Sequence, residues 1–144
     1  LKCISEMNSV ILINIASTKV TNEGLSVLAK MNGHLIILRM PLVQLNVTGA
    51  KSLSRLQSLN DLDIRHSNIN DAVMQYIPMI SSLNTLNISA NPLTDKGLLC
   101  LKKSHLHKLL IYDCPNVTPA AVAELKKAIP GLEIDSKRDL QISF

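Results

Sequence analysis

A pattern of about two dozen residues recurs along this chain, and it limits the possible fold more than any other feature. The stretch LNTLNISANPLTDKGLLCL, from Leu83 to Leu101, shows it most fully. Its aliphatic residues first alternate, as in a short strand, and then recur at a three-residue step, as on one helix face. The first position of this pattern recurs at residues 10, 35, 59 and 106, so with Leu83 the steps are 25, 24, 24 and 23. This spacing predicts a solenoid in which each repeat packs on its neighbours.

The repeats predict a single domain over residues 1–144. Full repeats start at residues 10, 35, 59, 83 and 106, and residues 1–9 match the helical end of an earlier, partial repeat. Residues 129–144 are expected to form a C-terminal partial repeat and cap, because a polar run there is followed by an alternating apolar segment. The N-terminal end shows no such cap, so we expect a C-terminal part of a longer protein. A short N-terminal helix that acts as its own cap is the alternative.

Each repeat should form one strand and one helix, which predicts an α/β solenoid with a short parallel sheet and helices on its outer side. Strands lie about 4.8 Å apart and packed helices about 8–10 Å apart, so the array must curve into a horseshoe with the sheet on the concave face. Three threonines stand where they can cap the helices: Thr21, Thr94 and Thr118. Three glycines in the first helical turns should let neighbouring repeats approach closely: Gly24, Gly49 and Gly97.

These features resemble the leucine-rich repeat, whose pattern is LxxLxLxxN/CxL. The helix start TDKGL after Leu93 and the position of Cys114 resemble the cysteine-containing subclass, which is known from F-box adaptors and bacterial repeat proteins. The run VTPAAVAELKKAIPGLEI resembles the last repeats of bacterial members. The asparagine/cysteine position departs from the pattern in three repeats, which carry Thr18, Val43 and Ser67, so the turns there must be hydrogen-bonded differently.

The resemblance implies a non-enzymatic module that binds a protein partner, as part of a bacterial scaffold or effector. It leaves two alternatives, which the sequence preceding Leu1 would distinguish. One is the substrate-recognition arm of an F-box ubiquitin ligase adaptor, and the other is a non-catalytic arm of an enzyme whose catalytic domain is outside this chain.

Other function classes find little support in the composition. The net charge is +4, from 15 basic and 11 acidic residues, and aromatic residues make up 2%, so nucleic-acid binding is not expected. No apolar run has the length of a membrane span. His105 and His107 near Cys100 lack a zinc-site spacing, and no phosphate loop or nucleophile motif is present. We therefore expect no metal, no cofactor and no catalysis in this chain, and a structural role for Cys114.

The three cysteines indicate a reducing compartment, because they are odd in number and fit no ligand or disulfide pattern. We expect a cytoplasmic protein, or one in the host cytosol if it is a delivered effector, and we expect a monomer.

The candidate binding surface is the concave face of the sheet, formed by the strand residues that the repeat pattern does not specify. The predicted partner-binding residues are Arg39, Asp61, Asp63, Arg65, His66, Thr85, Asn87, Lys108, Tyr112 and Asp113. Further members of this wall are Asn14, Ser17, Leu42, Ser89, Glu133 and Asp135. The alternative is that these are ordinary solvated strand positions.

Overall fold

The structure, a computed structural model, describes residues 10–30 and 34–136. The strands in these ranges are β1 (Leu12–Asn14), β2 (Ile37–Arg39), β3 (Asp61–Asp63), β4 (Thr85–Asn87), β5 (Lys108–Leu110) and β6 (Glu133–Asp135). The helices are α1 (Asn22–Leu28), α2 (Val47–Leu53), α3 (Asp71–Met74), α4 (Asp95–Leu99) and α5 (Pro119–Ala128), with 3-10 turns at Ile77–Met79 and Cys100–Lys103. The partial repeat predicted for residues 1–9 and the end of the predicted cap, residues 137–144, lie outside the described residues.

The strands form one parallel sheet whose order follows the chain from β1 to β6. Equivalent positions of successive repeats pair side by side; for example, Leu38 pairs with Leu62 and Leu62 pairs with Leu86. Parallel neighbours need a connection that returns to the starting edge, and the helix after each of the first five strands provides it. The predicted α/β solenoid is confirmed.

The last strand, β6, begins two residues later along the chain than the repeat frame starting at residue 129 predicts. In that frame Leu132 would pair with Leu109, but Ile134 occupies this place. The preceding helix α5 is the longest of those described, at ten residues, and a turn with Gly131 at φ 85° follows it. The strand therefore begins later. Because side chains alternate with period two, the shift leaves the two acidic residues of β6 on the predicted face.

The core lies between the sheet and the helices and is built from aliphatic side chains. The central residues of β2 to β5 are fully buried, and they form one cluster with leucines of the helices. Their members include Leu38, Leu62, Leu86 and Leu109 from the strands and Leu25, Leu53, Leu98 and Leu125 from the helices. Each buried leucine stabilises the fold by about 1.5–3 kcal/mol relative to an exposed one. Each helix packs against the next one along the chain, as the solenoid requires.

Every helix from α1 to α5 starts after a side chain that caps its first turn. The predicted caps Thr21, Thr94 and Thr118 each accept a backbone N–H of their helix, which confirms their assignment. Asn46 and Asn70 do the same for α2 and α3. A capping oxygen satisfies an N–H that has no partner inside the helix, and its loss typically costs about 1 kcal/mol.

In three of the helices the residue after the cap links the helix start to the next repeat. Asn22 Oδ1 accepts the Asn46 N–H at 2.9 Å. Asp71 accepts both the N–H and the hydroxyl of Thr94, at 2.8 and 2.7 Å, and Asp95 accepts the same two groups of Thr118, at 2.7 and 2.8 Å. We call these contacts the cap ladder. α2 begins with Val47 at this position, so the ladder has a gap between the second and third repeats.

Two of the predicted glycines make room for this ladder. A Cβ atom on Gly49 would overlap Asn22 Oδ1, and one on Gly97 would overlap Asp71 Oδ1. The close approach predicted from sequence is therefore confirmed at both positions, and the neighbouring atom is the oxygen of a ladder residue. Where the ladder residue is Val47, the next repeat carries Val73 instead of glycine.

Candidate functional site

The side chains of alternate strand residues point away from the helices, and the register arranges them in rows across the sheet. The first row is Leu12, Ile37, Asp61, Thr85, Lys108 and Glu133. The second row is Asn14, Arg39, Asp63, Asn87, Leu110 and Asp135. Just past the strand ends, Arg65, Ser89 and Tyr112 form a third row, because backbone hydrogen bonds continue between their repeats. We call these three rows the concave face.

The turn beneath the third row is held by the asparagine/cysteine position of the repeat. Asn91 Oδ1 accepts the N–H groups of Ser67 and Ile69, both at 2.9 Å, and Nδ2 donates to the carbonyls of Ile64, Ile88 and Ser89. These bonds join two repeats through one buried side chain. They fix the backbone from which the third row projects.

The other repeats fill this position with less capable groups. The Ser67 hydroxyl is placed to donate to the Met40 carbonyl at 3.2 Å, and Thr18 donates to Ile15 at 2.7 Å. Cys114 Sγ donates to the Ile88 carbonyl at 3.4 Å. Burial raises the pKa of the Cys114 thiol, which outweighs the effect of nearby backbone N–H groups. A protonated thiol used as a hydrogen-bond donor is the structural role expected for Cys114.

His66 and Asp113 come directly after the third row, at the place where the chain leaves the sheet. Both have left-handed backbone angles, φ 53° and 55°, and so do Ser17 and Leu42 at the same repeat position. This conformation turns the chain away from the sheet just after the third row. Leu42, His66 and Asp113 therefore line an open groove of about 490 Å³ along the edge of the sheet.

Asp63, Arg65 and Tyr112 form a cluster at the centre of the concave face. Arg65 Nε lies 3.4 Å from Asp63 Oδ2, and the Tyr112 side chain lies close to the guanidinium. The polar interaction with Tyr112 raises the pKa of Arg65; partial burial acts against this rise and the charge of Asp63 adds to it. Asp63 Oδ1 also accepts the Arg65 N–H at 3.2 Å. The cluster spans the third to the fifth repeat.

Asn87 and Ser89 are less available to a partner than the sequence indicates. Asn87 is 8% exposed and its Oδ1 accepts the Ser89 N–H at 3.1 Å. Ser89 is fully buried, and its hydroxyl oxygen accepts the Tyr112 N–H at 3.2 Å. The physical reason is the position of Ser89 between Arg65 and Tyr112 in the third row, where two larger side chains meet. Both residues support the wall instead of presenting a recognition group.

The remaining predicted residues are accessible. Arg39 and Lys108 are exposed, and Asp61 and Thr85 are half-buried. Within the described ranges, the side chains of Arg39 and Asp61 form no hydrogen bond or ion pair. The structure therefore brings two unpaired charges of opposite sign onto adjacent strands.

Comparisons with known proteins address the fold. A family model described as Leucine Rich repeat matches residues 80–102. One similar solved structure is titled Leiomodin-1 Actin-Binding Site 2; its sequence is 17% identical, and the match covers 90% of this chain and 71% of that chain with a TM-score of 0.56. The chain has the leucine-rich-repeat fold, and residues 80–102 match the repeat itself. No curated protein matches it. At this identity, the likeness between the two leucine-rich-repeat structures concerns the fold alone.

Sequence reasoning missed the aliphatic part of this leucine-rich-repeat surface. The first two members of the first row are Leu12, which is 48% exposed, and Ile37, which is half-buried. Beside them Ile11 and Ile36 are 56% and 39% exposed. The signal was present in the unbroken aliphatic runs of the first two repeats, VILI and LIIL. In the leucine-rich-repeat frame the unspecified positions are usually polar, so aliphatic residues there are notable.

Two further observations concern other site types. Within residues 10–30 and 34–136, no three histidine, cysteine or acidic side chains come together in a way that could hold a metal ion. Of the helices described, none has both the length and the apolar character needed to cross a lipid bilayer.

Proposed function

We propose that this leucine-rich-repeat chain is a protein-binding module whose partner docks on the concave face. The observation that carries the proposal is the presence of exposed aliphatic side chains beside the unpaired charges of Arg39 and Asp61. Side chains of this kind are available for recognition because the sheet and turns do not use them. The similar structure that is named as an actin-binding site supports a protein-binding role for such an array without identifying the partner here.

Residues that the fold leaves free are the proposed contact set. In this proposal the partner directly contacts Arg39, Asp61, Thr85 and Lys108. It also contacts Arg65 and Tyr112, which belong to the central cluster. His66 and Asp113 lie in the edge groove, so they contact only a partner large enough to reach around the sheet edge. The chain itself is proposed to be non-catalytic and to need no cofactor or metal.

The setting is proposed from the sequence resemblance. We favour an arm of a longer bacterial scaffold or delivered effector, acting as a monomer in a reducing compartment. The free thiols of Cys100 and Cys114 are compatible with such a compartment. An F-box adaptor arm or a non-catalytic arm of an enzyme is the alternative, and the full-length sequence decides between them.

Two matched variants test the proposal. The concave variant carries Arg39→Gln, Asp61→Asn and Lys108→Gln. The control variant carries Arg55→Gln, Glu23→Gln and Lys51→Gln, which are exposed residues of the helical side and its loops. Both variants lose two positive charges and one negative charge, so non-specific electrostatic effects are equal.

Cross-linked capture from cell extract, quantified by mass spectrometry, is the measurement. The concave variant should lose the partners that the unmodified chain captures, and the control variant should retain them. Thermal unfolding, followed by circular dichroism, should be nearly unchanged in both, because every altered residue is on the surface. Equal loss in the two variants would overturn the proposal.

A further inference from the structure

The first row of the concave face changes in chemistry along the array. Leu12 and Ile37 occupy it in the first two repeats, and Asp61 follows on the next strand. The register places these residues side by side, one on each strand. A ligand that crosses the strands therefore meets two aliphatic side chains and then a carboxylate.

The aliphatic part consists of four neighbouring side chains. Ile11, Leu12, Ile36 and Ile37 lie on two neighbouring strands or just before them, and three of them are more than a third exposed. We call these four residues the aliphatic platform. Exposed aliphatic groups that are adjacent to one another and bordered by polar residues are typical of a site that a partner covers.

Asp61 is the carboxylate at the border of the platform that has no partner. Asp63, two residues later, is engaged by Arg65 and by a backbone N–H. The Asp61 side chain makes no hydrogen bond or ion pair among the described residues. Its neighbour in the row on the far side is the neutral Thr85. Arg39 lies one row away, in register with Asp63, so it does not neutralise Asp61 through an ion pair.

The spacing of these groups matches an extended chain. Neighbouring strands are about 4.8 Å apart, so the middle of the Leu12–Ile37 pair lies about 7 Å from Asp61 along the row. In an extended segment, side chains two residues apart point to the same side and are separated by about 6.6 Å. When an extended segment places one aliphatic side chain on the platform, its side chain two residues away therefore lies at Asp61.

We infer that the partner binds through an extended segment in which an aliphatic residue and a lysine or arginine are two positions apart. The aliphatic side chain packs on the platform, the basic side chain pairs with Asp61, and the segment runs across the strands. This inference rests on the proposed function, since it names the chemistry that the concave face recognises.

A displayed library of random peptides of about ten residues, long enough to cross all the described strands, is the probe. Selection on the immobilised full chain should enrich an aliphatic and a basic residue two positions apart, in either order. The selected peptide should bind the Ile37→Ser and Asp61→Lys variants about tenfold or more weakly, as measured by fluorescence anisotropy. Replacing its basic residue by glutamate should restore binding to Asp61→Lys.

The control variant is Glu23→Lys, which makes a matched charge change at an exposed residue of α1, on the helical side of the array. It should leave the affinity within about twofold of the unmodified chain, since the helical side does not contact the peptide in this inference. Peptides enriched without the pattern, or bound equally by Asp61→Lys and Glu23→Lys, would overturn the inference. Absence of any enrichment would overturn it as well.

A second copy of this chain is the competing occupant of the platform. Sedimentation of the unmodified chain and of Ile37→Ser should show the same, concentration-independent mass. Self-association that Ile37→Ser abolishes would overturn the inference in favour of a dimer. Captured partners that disappear in the concave variant, together with failure of the peptide test, would leave the proposed function standing and reject only this segment chemistry.

Discussion

The buried side chain of Asn91 joins the backbones of two neighbouring repeats. It is 2% exposed and makes five hydrogen bonds to backbone groups of two repeats. A buried backbone group without a partner is costly, because folding removes the water that would otherwise satisfy it. This one asparagine side chain therefore supplies a hydrogen-bond partner to several buried backbone groups.

Replacing this asparagine by alanine should destabilise the chain by roughly 2–4 kcal/mol, since it leaves buried N–H and carbonyl groups unpaired. Urea unfolding measures the change. Asn116→Ala is the matched control, because Asn116 is exposed and makes one hydrogen bond, to the Pro92 carbonyl at 3.2 Å. The control should cost less than about 1 kcal/mol. Similar losses in the two variants would contradict the role assigned to Asn91.

The carboxyl group of Asp71 should make the stability of the fold depend on pH. Burial alone would raise its pKa, but hydrogen bonds from Thr94 and the Gly97 N–H, with the charge of Lys96, hold the pKa below its ordinary value. A carboxyl with a lowered pKa in the folded state contributes stability that is present above its unfolded pKa, near 4. That contribution disappears as the pH falls through the folded value.

Asp71→Asn should therefore be less stable than the unmodified chain at pH 7, and the difference should shrink as the pH falls below about 4. Thermal unfolding at a series of pH values measures it. A difference that stays constant down to the acid limit would show that the charge of Asp71 is not responsible.

At the scale of elements, the cap ladder joins three pairs of neighbouring helix starts, α1 with α2, α3 with α4 and α4 with α5. The oxygen of a ladder residue occupies the space that a side chain on the glycine of the next helix would need. Helix propensity and packing therefore act in opposite directions at Gly49 and Gly97, and packing decides the residue.

Gly97→Ala tests this directly. In a solvent-exposed helix the change would stabilise by about 1 kcal/mol, but here we expect it to destabilise, because the new methyl group overlaps Asp71 Oδ1. Asp71→Ala in the same chain should remove the overlap. The double-mutant cycle, measured by urea unfolding, should then show a favourable coupling of about 1 kcal/mol or more. Additive effects would mean that the two residues do not share this space.

At the scale of the whole molecule, stability is expected to be local, because each repeat contacts only its neighbours. The packing of each helix on the next, and of each strand on the next, follows this order. Damage at one end of the array should then spread only a short distance.

Leu109→Ala should cost roughly 2–5 kcal/mol through lost burial and a cavity, because Leu109 is fully buried in β5. Amide hydrogen exchange should show the largest loss of protection in β4 to β6. Leu38→Ala, the matched change in β2, should instead cause the largest loss of protection in β1 to β3. The same pattern of loss for both variants would mean that the array unfolds as a single unit.

The sequence predicts those parts of the molecule that follow from periodicity. The strands recur in each unit, and the threonine caps and glycines recur at one place in three of the units, so their roles can be inferred from spacing alone. The burial of Ser89 could not be inferred in this way. It depends on the larger residues Arg65 and Tyr112, which flank Ser89 in the third row and belong to repeats that are not adjacent.

The aliphatic platform was overlooked for a related reason. The repeat frame specifies which positions are buried and leaves the others open, so it does not single out Leu12 and Ile37. The signal lies in the unbroken aliphatic runs, and in their comparison with Asp61 and Thr85 at the same place in later repeats. The edge position of His66 likewise requires the left-handed backbone angle, which the sequence does not reveal for histidine.

The proximity of Arg65 and Tyr112 also relates the binding surface to the curvature of the array. The two residues belong to repeats on either side of the fourth one, so on the inner surface their separation grows when the array straightens and shrinks when it bends. A partner that flattens the horseshoe must move the guanidinium away from the phenol, and a partner that tightens it brings the two groups closer.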